Sequence, residues 1–132
     1  SLPRECLHDA LHVMTSGEGR VRRPGVVGHR GLTERQTVQR EGVRVTALAD
    51  TWLDLAPVVS LDSLVVVGDE VARRLGGIDD MLRRLDRRLP GVQRARQALE
   101  WVRPGSASPM ETRSRVLFGR AGLPEPELNI PI

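Results

Sequence analysis

Lysine and tyrosine are both missing from this 132-residue chain: all twenty basic residues are arginine, and the aromatics reduce to Trp52, Trp101 and Phe118. A Schiff base, a Walker-type phosphate clamp or the lysine of a nuclease site is therefore excluded for this chain acting alone. So few aromatics leave almost no platform on which single-stranded bases stack. Cys6 is the one cysteine, which rules out an intramolecular disulfide and a cysteine-based zinc cluster and fits a reducing, cytoplasmic setting. No apolar run approaches the roughly 18 residues that span a bilayer, and the first residues lack the apolar core of a signal peptide. Gly17-Glu18-Gly19 lacks the spacing and the following helix of a nucleotide cradle. No membrane partner and no cofactor are expected.

What is present is enough to fold. The chain is 39% hydrophobic and 28% charged, unlike a disordered or low-complexity segment, and a domain near this length buries about 68% of its extended-chain surface. The formal net charge of +3 is modest. Because it rests on guanidinium groups that never lose their proton, a polyanion is a natural partner.

The first third reads as short strands and turns: 11–15, 26–30, and 37–46, where Val38, Val43 and Val45 flank Glu41-Gly42 and predict a hairpin. From Thr46 the period becomes helical. Thr46 is the expected cap of a first helix with Leu48, Trp52 and Leu55 on one face, stopped by Pro57. Ser60 caps a second, whose apolar stripe runs from Leu61 to Leu75 and ends at Gly76-Gly77. A third starts at Asp79-Asp80, with Ile78, Met81, Leu82, Leu85 and Leu89 inside and Arg83, Arg84, Arg87 and Arg88 outside. A fourth covers about Val92 to Val102. After the loop 103–107, Ser108 caps a fifth with Pro109 in its first position. Alternation over Glu127 to Ile132 predicts a closing strand, with Pro131 placing it at an edge or a strand end. The expected class is α+β: a small, mostly antiparallel sheet, then a helical cluster, then a helix-strand unit, with a boundary between 1–104 and 105–132.

Three strings carry a resemblance. Pro24-Gly25-Val26-Val27-Gly28-His29-Arg30-Gly31, then Val45-Thr46 with Thr51 to Ala56, then Ser108-Pro109-Met110-Glu111-Thr112-Arg113 resemble, in order and spacing, actinobacterial proteins related to the AbiEi family antitoxins. In that family a winged-helix segment usually precedes a mixed α/β segment, and many members end in a domain similar to the very-short-patch-repair endonucleases. The resemblance implies a chain that starts after the winged helix and stops inside the nuclease domain, whose restriction-endonuclease-like fold residues 105–132 would begin. It implies a protein of a toxin-antitoxin or DNA-maintenance system whose middle segment connects and assembles.

On the same resemblance Glu111 stands where such a nuclease places an accessory metal ligand, and it is the one catalytic candidate. The later acids and the lysine are missing, so no metal set is complete. Ser108-x-x-Glu111 is equally a capping box, with Glu111 reaching back to the Ser108 N–H. His8-Asp9-Ala10-Leu11-His12 is similar to the HExxH zinc motif, but Asp replaces Glu and a third ligand is lacking unless His29 comes close. Arg20, Arg22, Arg23, Arg73, Arg74, Arg83, Arg84, Arg87 and Arg88 are candidates for tracking duplex phosphate, although Asp79 with Arg83 and Asp80 with Arg84 sit at i, i+4 and neutralise part of that charge. Asp54 is read as structural, and Trp52 and Trp101 as core anchors whose indole N–H groups find carbonyls. The expected function is a non-catalytic module that packs on a protein partner or on itself and touches the duplex DNA backbone. The alternatives are part of a metal-dependent endonuclease completed from elsewhere, and an oligomerisation scaffold.

Overall fold

Leucine and valine at helical spacing dominate from residue 48 onward, and the computed structural model, which describes residues 10–17, 19 and 21–128, gathers them into one core. Its class is α+β. The helices are α1 (Leu48–Leu55), α2 (Leu61–Leu75), α3 (Asp79–Arg84), α4 (Val92–Trp101) and α5 (Pro109–Arg120). Ser60 caps α2 as expected, its side chain accepting from the Ser63 N–H at 3.2 Å. Ser108 caps α5 with Pro109 following. At α1 the cap position falls on Ala47. Thr46 instead turns its hydroxyl to that of Thr51, 2.7 Å away.

α2 is the central rod. Leu64, Val65 and Ala72 are fully buried on it, and α1, α4 and α5 all pack against it. Trp52 of α1 is fully buried and donates its indole N–H to the Leu64 carbonyl at 3.0 Å, so a large apolar body is seated without an orphaned donor. Gly68 permits this approach: a Cβ there would stand 2.6 Å from Val102 Cγ2 and 3.1 Å from the Trp52 nitrogen. Val116 of α5 belongs to the same apolar cluster. The expected boundary at 104/105 is a loop in the structure, and α5 beyond it shares the core of the helices before it.

The strands stand apart from that core in two separate ladders. β3 (Thr37–Arg40) and β4 (Val43–Thr46) form the expected antiparallel hairpin. Its turn residues Glu41 and Gly42 have φ of 50° and 78°, the paired positive angles of the turn that matches strand twist. β1 (Leu11–Thr15) and β2 (Val26–Arg30) pair parallel, in register Leu11 with Val26 through Thr15 with Arg30. The small antiparallel sheet of the expected α+β class is therefore the β3-β4 hairpin, with the parallel pair as a second ladder. The predicted closing strand lies largely outside the described residues, and Glu127 and Leu128 are not in a strand.

α3 is shorter than its apolar spacing suggested, and its inward face differs. Leu82 is 46% exposed while Arg84 is buried. The physical reason is electrostatic: a buried carboxylate on α1 draws the arginine in.

Candidate functional site

Two buried acids organise the arginines. Asp50, 1% exposed on α1, accepts from Arg84 Nε at 3.0 Å, from Arg87 Nη1 at 3.2 Å and from the Gln36 N–H at 3.1 Å. Asp69, 3% exposed on α2, accepts from the Thr112 hydroxyl at 2.6 Å, the Arg103 N–H at 2.7 Å and Arg115 Nη2 at 2.8 Å. Burial pushes the Asp69 carboxyl above its ordinary range, and Thr112, the Arg103 amide and Arg115 pull it part of the way back. Arg115 has no exposed side-chain surface. It donates a second bond to the Trp101 carbonyl at 2.5 Å, while its Nε has no hydrogen-bond partner among the described residues.

Most of the helical arginines expected to meet DNA make ion pairs within the chain. Asp50 holds Arg84, which is buried instead of outward-facing, and Arg87, which stays half-exposed. Arg73 and Arg74 both close on Glu70, at 2.8 and 2.5 Å. Those two guanidinium groups hold the Glu70 carboxyl down to about 2, chiefly through the hydrogen bond from Arg73. Arg83 pairs with Asp80 three residues back rather than with Asp79. Other arginines close helix ends: Arg94 caps the Ala56 and Val59 carbonyls at 3.1 and 2.9 Å, and Arg96 caps Leu85 at 2.6 Å. Of the predicted set, Arg22, Arg23 and Arg88 are exposed and make no ion pair with another described residue. Arg20 lies outside the described residues. The sequence reading missed Arg40 and Arg44, which flank the hairpin turn, exposed and equally unpaired. Their signal was available: neither has an acid three or four residues away on a shared helix face.

Asp54 is structural, as expected. It takes a fork from Arg35, with Nη2 to Oδ1 at 2.5 Å and Nε to Oδ2 at 3.3 Å, which ties the 3-10 turn Leu32–Glu34 to α1. That carboxylate, above all through its hydrogen bonds, raises the already high pKa of Arg35.

Glu111 is spent on a cap. Its Oε2 accepts from the Ala107 N–H at 2.7 Å, and its own N–H donates to Ser108 Oγ at 3.1 Å. The box thus closes on Ala107, one residue earlier than predicted. No group of three or more His, Cys, Asp or Glu side chains converges among the described residues. His8, Asp9 and Cys6 lie outside them. His29 does come close to His12, with Nδ1 of His12 2.8 Å from Nε2 of His29.

The face of α5 turned to solvent carries three large apolar side chains beside Arg113 and Arg120. Thr112, Arg115 and Val116 point inward, whereas Met110, Leu117 and Phe118 are 68%, 65% and 42% exposed. No helix of the described residues is long and apolar enough to cross a membrane. Compared with family models, curated proteins and solved structures, the chain matches none.

Proposed function

We propose that this chain is a non-catalytic module of a cytoplasmic, DNA-associated, antitoxin-like protein, working through packing on a protein partner and through contact with duplex phosphate. The antitoxin part of the reading rests on the resemblance of 24–31, 45–46 with 51–56, and 108–113. The phosphate part rests on one observation: Arg73, Arg74, Arg83, Arg84 and Arg87 are answered by carboxylates, while Arg22 and Arg23 just before β2 and Arg40 and Arg44 on the hairpin are not answered by any described residue. Guanidinium groups already paired release no counterions from DNA, whereas exposed unpaired ones do. A two-stranded ribbon is also of a size that a DNA groove admits. The packing part is supported by the outer face of α5, where Met110, Leu117 and Phe118 sit in water without cover.

Glu111 serves this reading as a helix cap rather than as a metal ligand. The test is a salt-titrated duplex-binding assay run beside a cleavage assay in magnesium or manganese. Binding at about 50 mM salt that fades by about 200 mM, with no cleavage, is the expected result. Absence of binding at low salt removes the phosphate contact. Cleavage abolished by Glu111→Ala overturns the non-catalytic reading in favour of an endonuclease.

A further inference from the structure

A parallel ladder of two strands places three soft or borderline metal-binding side chains on one face. His12 and Met14 are two residues apart on β1 and so share a face, and His29 on β2 is the register partner of Met14. The two imidazole rings are near parallel, with 15° between their planes and 5.0 Å between centroids. Nδ1 of His12 lies 2.8 Å from Nε2 of His29. At that separation one nitrogen donates a proton to the lone pair of the other. A cation that binds both nitrogens takes the place of the shared proton, which moves to the other nitrogen of the donor ring so that both imidazoles stay neutral.

We propose that His12 and His29, with Met14 beside them, form a binding site for monovalent copper. The ligand chemistry selects the ion. Zinc in a structural site asks for four N or S ligands in a tetrahedron, more than the described residues of this face supply. Thioether and imidazole together suit Cu(I), which is satisfied by two or three ligands. Metal-nitrogen bonds of about 2 Å require the nitrogens to part from 2.8 Å to roughly 3.5–4 Å. Both histidines are exposed, so side-chain rotation supplies that movement without disturbing the ladder. Arg30, which follows His29, alternates to the opposite face, leaving this side free of that cationic side chain. This site is independent of the proposed contact with DNA.

The test is an anaerobic titration of the full chain with Cu(I) in competition with a chromophoric chelator, with and without Cys6→Ser to remove the one thiol. With Cys6→Ser, one Cu(I) per chain is expected. Adding His12→Ala or His29→Ala should weaken it by more than about tenfold, the scale that even the hydrogen-bond partners of metal ligands reach. Met14→Leu should weaken it less. Circular dichroism of each variant should match the parent, since neither imidazole packs in the helical core. No stoichiometric binding by the Cys6→Ser protein, or undiminished affinity after His29→Ala, overturns the site. Tighter binding of Zn(II) than of Cu(I) by the same protein overturns the choice of ion.

Discussion

Asp69→Ala should be the most damaging single change among the polar residues, and more damaging than removal of its arginine partner. The substitution deletes an acceptor used by Thr112, the Arg103 N–H and Arg115. Arg115, with no exposed side-chain surface, cannot lose its proton and keeps, as its only ion pair, the longer contact of its Nη1 with the partly exposed Glu125 carboxylate at 3.6 Å. Breaking a buried pair in this way costs about 3–5 kcal/mol, against a total stability of about 5–15 kcal/mol for a domain. Arg115→Met leaves a carboxylate that keeps two hydrogen bonds and that burial already biases toward its neutral form, so it should cost less. Urea unfolding followed by tryptophan fluorescence reads both, with slopes of about 1–3 kcal/mol per molar for small proteins. Asp69→Leu combined with Arg115→Met should recover much of the loss. An Asp69→Ala cost below about 1 kcal/mol, or below that of Arg115→Met, would refute the reasoning.

The same pair predicts a pH dependence. In Arg115→Met the carboxyl loses a charge that held its pKa down, so its folded value rises further above the unfolded one. The folded state then binds the proton more readily, and the variant's deficit against wild type should shrink as pH falls through that raised value, read by urea midpoints from pH 7 to 4. Glu70 has the opposite sign: its folded value of about 2 lies below the ordinary 4.5. Its contribution is present above pH 4.5 and lost toward pH 2, so wild type and Glu70→Gln should converge on acidification. Both partners are more than a third exposed, which limits the gap at neutral pH to about 1 kcal/mol or less and makes it salt-sensitive. Gly68→Ala should cost about 1–3 kcal/mol by overpacking, since the added methyl meets Val102 Cγ2 and the Trp52 ring. Glu111→Ala should cost about 0.5–2 kcal/mol, the range of a lost cap, seen as a lower thermal midpoint.

Local chemistry was legible in the sequence where it acts over a few residues. Ser60 and Ser108 announced α2 and α5, and Glu41-Gly42 announced the hairpin, because caps and turns are set by side chains within three or four positions. The parallel pairing of β1 with β2 was not legible, since nothing in either strand states its partner or direction. Arg84 turned inward for Asp50, 34 residues earlier, and Arg115 for Asp69, 46 earlier. A helical wheel assigns an arginine to solvent and has no sight of such distant acids. His29 beside His12 belongs to the same class: the requirement could be written from the motif, but only the ladder register meets it. Glu111 was legible as a cap, with Ala107 rather than Ser108 as its donor.

The division between the arginines that acids hold on and beside the helices and the unpaired arginines on and beside the strand ladders carries the functional account, and duplex binding by two charge-matched variants tests it most directly. Fluorescence anisotropy across a salt series would compare Arg22, Arg23, Arg40 and Arg44 changed together to Gln with Arg73, Arg74, Arg83 and Arg120, the last paired with Asp62, changed likewise. The account predicts that the ribbon variant loses most of the affinity and flattens the salt slope by up to about 0.9 per contact removed, while the helix variant stays near wild type. Equal loss in both, or loss confined to the helix variant, contradicts it.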